Sequence, residues 1–165
     1  MDRDTLLASL DFARARLTGI LDAIEKSNQD PAKVLAWRPG PGRAHIGWQA
    51  MHCAATHDRY LNVRIKGGTA KDEAIVSAFA GGSTPSDSNV PTLTSIRAKL
   101  ESSYRDFRNY VANVSPEELE RVIPAPTGPQ RSVGESIVLL AWHEGHHQGQ
   151  IHLTWNLYKQ AHGII

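Results

Sequence analysis

The prolines of this chain fall in four groups, and between the groups lie four long stretches in which a helix meets no obstacle. Proline lacks a backbone donor and clashes with the preceding turn, so it marks where a helix interior cannot lie. Pro31, Pro39 and Pro41 form the first group, Pro85 and Pro91 the second, Pro116 the third, and Pro124, Pro126 and Pro129 the fourth. Residues 1–30, 42–84, 92–115 and 130–165 are proline-free, and each can hold several helical turns.

Apolar spacing turns these stretches into expected helices. In the first, Leu6, Leu10, Ala13, Leu17, Ile20, Leu21 and Ile24 recur at threes and fours, the stripe of an amphipathic helix over Asp4 to Ser27. The second carries Ile46, Trp48, Met51, Ala55 and Val63 and is expected to stop at Gly67 and Gly68. The third shows Leu93, Ile96, Leu100, Tyr104, Phe107 and Val111, with Thr92 or Thr94 as cap. Ser115-Pro116 reads as the start of a short helix, with Ser at the cap and Pro at the first helical position. The last begins near Ser132 and sets Ile137, Leu139, Leu140, His143, His147, Ile151, Thr154, Leu157 and Tyr158 along one side. A helical turn is expected from Glu73 to Phe79, within an otherwise irregular connection. Period-2 alternation is not evident. The expected fold is all-α: a four-helix bundle with short additional helices, as one domain spanning 1–165.

Composition narrows the partners. A chain of 165 residues with 41% apolar residues can bury a core of ordinary size. Eighteen Lys and Arg against seventeen Asp and Glu leave a net charge of +1, which offers no basic field for a phosphate backbone, so no nucleic acid partner is expected. Cys53 is the single cysteine, so no internal disulfide can form. Apolar runs such as Ile137 to Trp142 fall far short of the roughly 20 residues of a membrane span. The opening Met-Asp-Arg-Asp lacks the basic-then-apolar pattern of a signal peptide. The expectation is a cytoplasmic protein with no membrane partner.

The chemistry gathers in the histidines. The last stretch reads His143-Glu-Gly-His146-His147-Gln-Gly-Gln150-Ile-His152. His143 and His147 lie about 40° apart on a helical wheel, on the side of Leu139, Leu140 and Ile151. Two buried imidazoles require partners, and a metal ion satisfies both together. The alternative partners are hydroxyls such as Ser136 or Thr154. His146 flanks the same face and could replace His147, whereas His152 and His162 are expected in solvent. Two imidazoles on one helix seldom complete a site, so a third ligand is expected from another helix. On the second stretch His52 shares the apolar side with Trp48, Ala55 and Val63. His45 lies about 10 Å along the axis from it and cannot reach the same ion. His57 lies about 140° round from His52, beside Cys53, and these two form a second candidate ligand pair. Glu144 points about 100° away from His143 and is expected at the surface. Arg59 lies near the inward face, placed for an anionic substrate group or for a rim ion pair. Gly145 and Gly149, one turn apart, would let a neighbouring helix or a second subunit approach closely.

Two segments carry a family resemblance: Ile46-Gly-Trp-Gln-Ala-Met-His52-Cys-Ala-Ala-Thr-His-Asp-Arg-Tyr60-Leu, and Leu140-Ala-Trp-His143-Glu-Gly-His-His147-Gln-Gly149-Gln150-Ile. Together they resemble the DinB-like superfamily of small metal-binding four-helix bundles. The resemblance implies that His52, His143 and His147 hold one divalent transition metal, zinc or nickel foremost. Imidazole ligands suit iron and copper as well. It also implies function classes: thiol-dependent S-transferases or isomerases that use a low-molecular-weight thiol, and hydrolases. Three neutral imidazoles leave the ion its charge and an open position for water or substrate. The expectation is a metal-dependent enzyme acting on a small-molecule substrate, a homodimer, with no catalytic residue assigned. The alternative is a non-catalytic bundle in which the ion ties two helices together.

Overall fold

The structure, a computed structural model, describes residues 2–124 and 129–164. Its helices are α1 (Arg3–Lys26), α2 (Pro31–Ala36), α3 (Ile46–Asp58), α4 (Glu73–Phe79), α5 (Leu93–Asn113), α6 (Pro116–Glu120) and α7 (Val133–Ala161). A π-helical segment, Arg59–Ile65, continues α3. The all-α expectation holds, with α1, α3, α5 and α7 as the long members. Among the described residues no helix is long and apolar enough to cross a membrane.

Local chemistry explains most boundaries. Asp2, Thr92 and Ser115 each accept a hydrogen bond from a first-turn amide, which satisfies one of the orphan donors of α1, α5 and α6. At α7 the cap is reciprocal: the Ser132 side chain accepts from the Glu135 amide while the Glu135 carboxylate accepts from the Ser132 amide. The turn expected at Glu73 to Phe79 is helix α4, capped by Asp72.

Three features depart from the periodic reading. Pro31, counted there as an interruption, opens α2 at its first position, with Asp30 as cap. The second long stretch is not α-helical throughout, because its hydrogen bonding changes at Arg59 to the wider π pattern before ending near Gly67, whose φ is +69°. A short antiparallel pair, β1 (Val122–Ile123) with β2 (Arg131–Ser132), precedes α7, with Val122 opposite Ser132. Two residues per strand are too few for alternation to register in a sequence. Pro126 of the fourth proline group lies outside the described residues.

The apolar interior forms two clusters along the bundle. One joins Leu17, Leu21 and Ile24 of α1 to α2, α3, Phe79, Leu100 and the Ile151–Tyr158 end of α7. The other joins Leu6 and Leu10 to Leu61, Ile65, Phe107, Val111 and the Val133–Leu140 end of α7. On α1 the break between them falls at Arg14, and on α7 it falls at residues 141–150. Helix α3 is buried all round: from Ile46 to His57 every residue but Trp48 is buried. It packs against α5, α7, α4 and α2, so it has no solvent face to give it amphipathic contrast.

Candidate metal centre

At the level where the apolar clusters part, α3 and α7 bring three imidazoles together. The ring centroids are 4.9 Å apart for His52 and His143, 4.7 Å for His52 and His147, and 4.6 Å for His143 and His147, which is close to an equilateral triangle. Each ring offers a nitrogen within 4.8 Å of those of the other two. These are the three residues singled out on the wheel.

The surroundings define the protonation of His52. Its Nδ1 lies 2.6 Å from the Phe79 carbonyl, which can only accept, so Nδ1 carries the proton and Nε2 presents a lone pair. Trp48 stacks on the same ring at 4.7 Å with the planes 7° apart and fixes its orientation. That lone pair faces the Nε2 of His143 at 3.0 Å, an approach that takes either a proton or a cation between the nitrogens. Burial, and then the neighbouring imidazoles, push His143 down to about 4 and His147 down to about 3. His52 is lowered by burial, against the Phe79 bond. The Nδ1 of His147 is buried with no hydrogen-bond partner. Three converging neutral rings therefore hold more lone pairs than the chain supplies donors, and a shared cation is the single species that serves all three. The residues fit a metal ion. A carbonyl accepting from the nitrogen that does not face the ion, as Phe79 does from His52 Nδ1, is what a metal-ligating histidine ordinarily has.

The other expected partners lie elsewhere. Thr154 gives its hydroxyl to the Gln150 carbonyl. His146 is exposed, stacked on Trp142 at 5.2 Å and bonded to Gln150, so it stands outside the triangle. His45 caps α3, accepting from the Trp48 amide at Nδ1 and donating to the Ser86 carbonyl at Nε2. His152 and His162 are exposed, as expected. Cys53 and His57 do not form a ligand pair. Cys53 is enclosed, and burial pushes its thiol well above the ordinary range. His57 belongs to a different cluster.

That cluster is what the wheel reading missed. Arg14 of α1 and Glu144 of α7 form a buried ion pair at 2.6 Å. The guanidinium also donates to the Leu100 carbonyl at 2.6 Å and lies over the Tyr104 ring at 4.5 Å. One of its nitrogens approaches the Nδ1 of His57 at 3.4 Å. An arginine only donates, so Nδ1 accepts and Nε2 carries the proton, 3.4 Å from the Glu144 carboxylate. Burial and the Arg14 charge hold His57 well below its ordinary value, so it is neutral. Burial pushes the Glu144 carboxyl up, with Arg14 pulling the other way. Glu144 was expected at the surface because its angle was measured from His143. Measured from Leu140 and Ile151 it lies within about 40° of both, on the buried face. Arg14 was equally legible, at i+4 from Leu10 and i−3 from Leu17 inside the apolar stripe. The buried state of His57 was written in α3, which carries no charged residue from Ile46 to His57.

A family model of the DinB superfamily matches residues 9–151. The chain belongs to the DinB superfamily. Among solved structures, a conserved protein of Enterococcus faecalis has a similar fold, with a TM-score of 0.75 and 17% identity over 93% of this chain and 95% of that one. No curated protein matches the sequence. Membership in the DinB superfamily and the three-histidine cluster together fit a metal-binding protein.

Proposed function

We propose that this DinB-superfamily chain is a metal-dependent enzyme that transfers a small thiol. His52, His143 and His147 hold one divalent transition metal, zinc or nickel, and the thiol is a low-molecular-weight cofactor from solution. The observation that carries this reading is the ligand number. Among the described residues the cluster consists of three histidines with no fourth ligand, which is the open arrangement of catalytic rather than structural sites. When bound, such an ion supplies Lewis acidity that lowers the pKa of a thiol or water reaching it.

The chain's own residues favour a thiol over water as the nucleophile. Hydrolysis calls for a carboxylate or free imidazole placed as general base, and the nearest carboxylate in sequence, Glu144, is committed to Arg14. A thiolate is nucleophilic once deprotonated and requires no such base. Cys53 cannot supply it, because its thiol is enclosed and held protonated. The sulfur must therefore enter from outside, past the His52 ring that Trp48 and the Phe79 carbonyl keep aligned.

Elemental analysis of protein purified without chelator should find about one metal per chain, and a thiol-transfer screen should show turnover that chelator abolishes. A metal-free protein that takes up neither zinc nor nickel would overturn the reading. We also propose a homodimer through the outer side of α1 and α7. There Phe12, Trp142 and Leu153 are exposed, and a Cβ on Gly145 or Gly149 would meet no side chain or neighbouring element within 4 Å among the described residues. Sedimentation of the protein and of Trp142→Glu tests it: a monomeric parent overturns it.

A further inference from the structure

Beside the histidine triangle runs an open groove of about 700 Å³ between the π-helical segment and α4 with the loop after it. Its wall and the metal centre share a boundary. A Cβ on Gly81, which lines the groove, would stand 4.0 Å from the Cε1 of His52. Ser83, another lining residue, accepts from the indole of Trp48, the ring stacked on His52. The loop that closes one side of the histidines is thus the floor of the groove.

One cation faces that groove, Arg59. It stands seven residues after His52, two turns along the same side of the helix and about 10 Å on by helical rise. Its side chain is half-buried and has neither a hydrogen bond nor an ion pair among the described residues. Among the half-buried arginines only Arg64 shares this, and its guanidinium is instead placed against the Tyr60 ring, with its Nε buried and unpartnered. Arg38 pairs with Asp87, Arg97 with Asp22 and Glu25, and Arg108 with Asp11. Arg131 donates to a carbonyl. Every other half-buried arginine therefore has an ion pair, a hydrogen bond or a ring as partner. Glu73 also lines the groove but is exposed and lies outside ion-pair distance of Arg59. The π-helical turns begin at Arg59 and include Val63, which also faces the groove, and such turns recur where a helix is reshaped for a ligand.

We propose that Arg59 is the binding residue for a carboxylate on the small molecule whose other end reaches the histidine triangle. The inference rests on the metal reading above and adds the substrate class: an extended, carboxylate-bearing molecule lying along the groove. A single guanidinium fork in a groove with no second cation matches one carboxylate in geometry and in charge, and a doubly charged phosphate would be undercompensated.

The test loads the protein with Co(II), whose visible spectrum reports thiolate binding. It titrates 6-mercaptohexanoate against 6-mercapto-1-hexanol, with 3-mercaptopropionate and 3-mercapto-1-propanol as the short pair. The parent should prefer the long carboxylate over its alcohol by about tenfold, the scale of one charge-assisted pair. The preference should be smaller for the short pair. Arg59→Gln should bring the long-pair ratio to about one and Arg59→Lys to an intermediate value, with the Co(II) spectrum of each variant showing that the metal site is intact. Equal affinities in the parent, or a preference that survives in Arg59→Gln, overturn the assignment of Arg59 while leaving the metal reading in place. A parent that takes up no cobalt overturns the metal reading and this inference together.

Discussion

Helices α3 and α7 meet at two buried polar clusters, and the two solve the same problem in opposite ways. In one, His57 and Glu144 are joined by Arg14, so the cation comes from the chain. In the other, His52 meets His143 and His147 with no cation of the chain among them. The first cluster is closed in charge: the guanidinium donates to the Glu144 carboxylate and the Leu100 carbonyl, and His57 lies against both ions, although Arg14 Nε, His57 Nε2 and Glu144 Oε1 lack well-aligned hydrogen bonds. The second leaves lone pairs facing inward. A buried polar group costs free energy unless it is partnered, so the first cluster reads as part of the framework and the second as a site built for something that arrives.

The largest effect is expected in the closed cluster. Arg14→Met leaves Glu144 buried without its counter-charge, which costs about 3–5 kcal/mol of stability for broken buried pairs. The double variant Arg14→Met with Glu144→Leu should recover most of it, because apolar replacements of both partners are close to neutral. Urea unfolding of the three proteins decides the matter. If the double variant is as unstable as the single one, the pair does more than neutralise itself.

The open cluster should respond to metal instead. Zinc in hundredfold excess over its dissociation constant should stabilise the parent by about 2.7 kcal/mol, from mass action alone. His147→Ala should lose that gain and its bound metal, whereas His57→Ala should be destabilised yet keep its metal. Metal loss in His57→Ala would erase the distinction between the clusters. The chelated parent should stay helical by circular dichroism, since neither apolar cluster includes a histidine of the triangle.

How much of this could be read in advance depends on what each side chain was compared with. The long helices followed from stripes and caps, because α1, α5 and α7 each have a solvent face that makes the stripe visible. The triangle was legible because His143 and His147 lie on the stripe of α7 and because all three histidines match a family motif. Arg14 and Glu144 escaped because charged residues are expected outside, although both sit within the stripe of their own helix. His57 escaped because α3 has no outside, so a wheel with one inward face does not describe it. The turn to π-helical bonding at Arg59 has no periodic signal in so short a segment.

Acid should act on the histidines of both clusters in the same direction, with Glu144, whose carboxyl is pushed up by burial, opposing them. Without metal, His143 and His147 are held near 4 and near 3, against about 6.5 in an unfolded chain. Between those values the unfolded state binds protons that the folded state refuses, so stability falls as the pH drops from about 6.5 toward 4. His57, lowered by burial and by Arg14, adds to the same slope, as do His52 and His45. Melting temperatures of chelated protein across this range should decline steeply, and less so for His143→Gln with His147→Gln. Melting temperatures that rise toward acid would mean that the rings gain charge on folding.

The smallest effect sharpens the boundary of the open cluster. His146 and His147 are adjacent in sequence, and either could have completed the pair with His143 by spacing alone. The helix turns about 100° between them, which carries His146 out to solvent against Trp142 while His147 faces His52. An exposed ring stacked on an exposed indole loses little when removed, so His146→Ala should shift stability by well under about 1 kcal/mol. Its metal content and affinity should equal those of the parent, measured side by side with His147→Ala by competition with a chromogenic chelator. The ring-stacking partner gives an internal check, since Trp142 fluorescence should change in His146→Ala even though the metal does not. Equal loss of metal in both variants would mean that the two histidines share the ion, and the triangle drawn by His52, His143 and His147 would have to be redrawn around four rings.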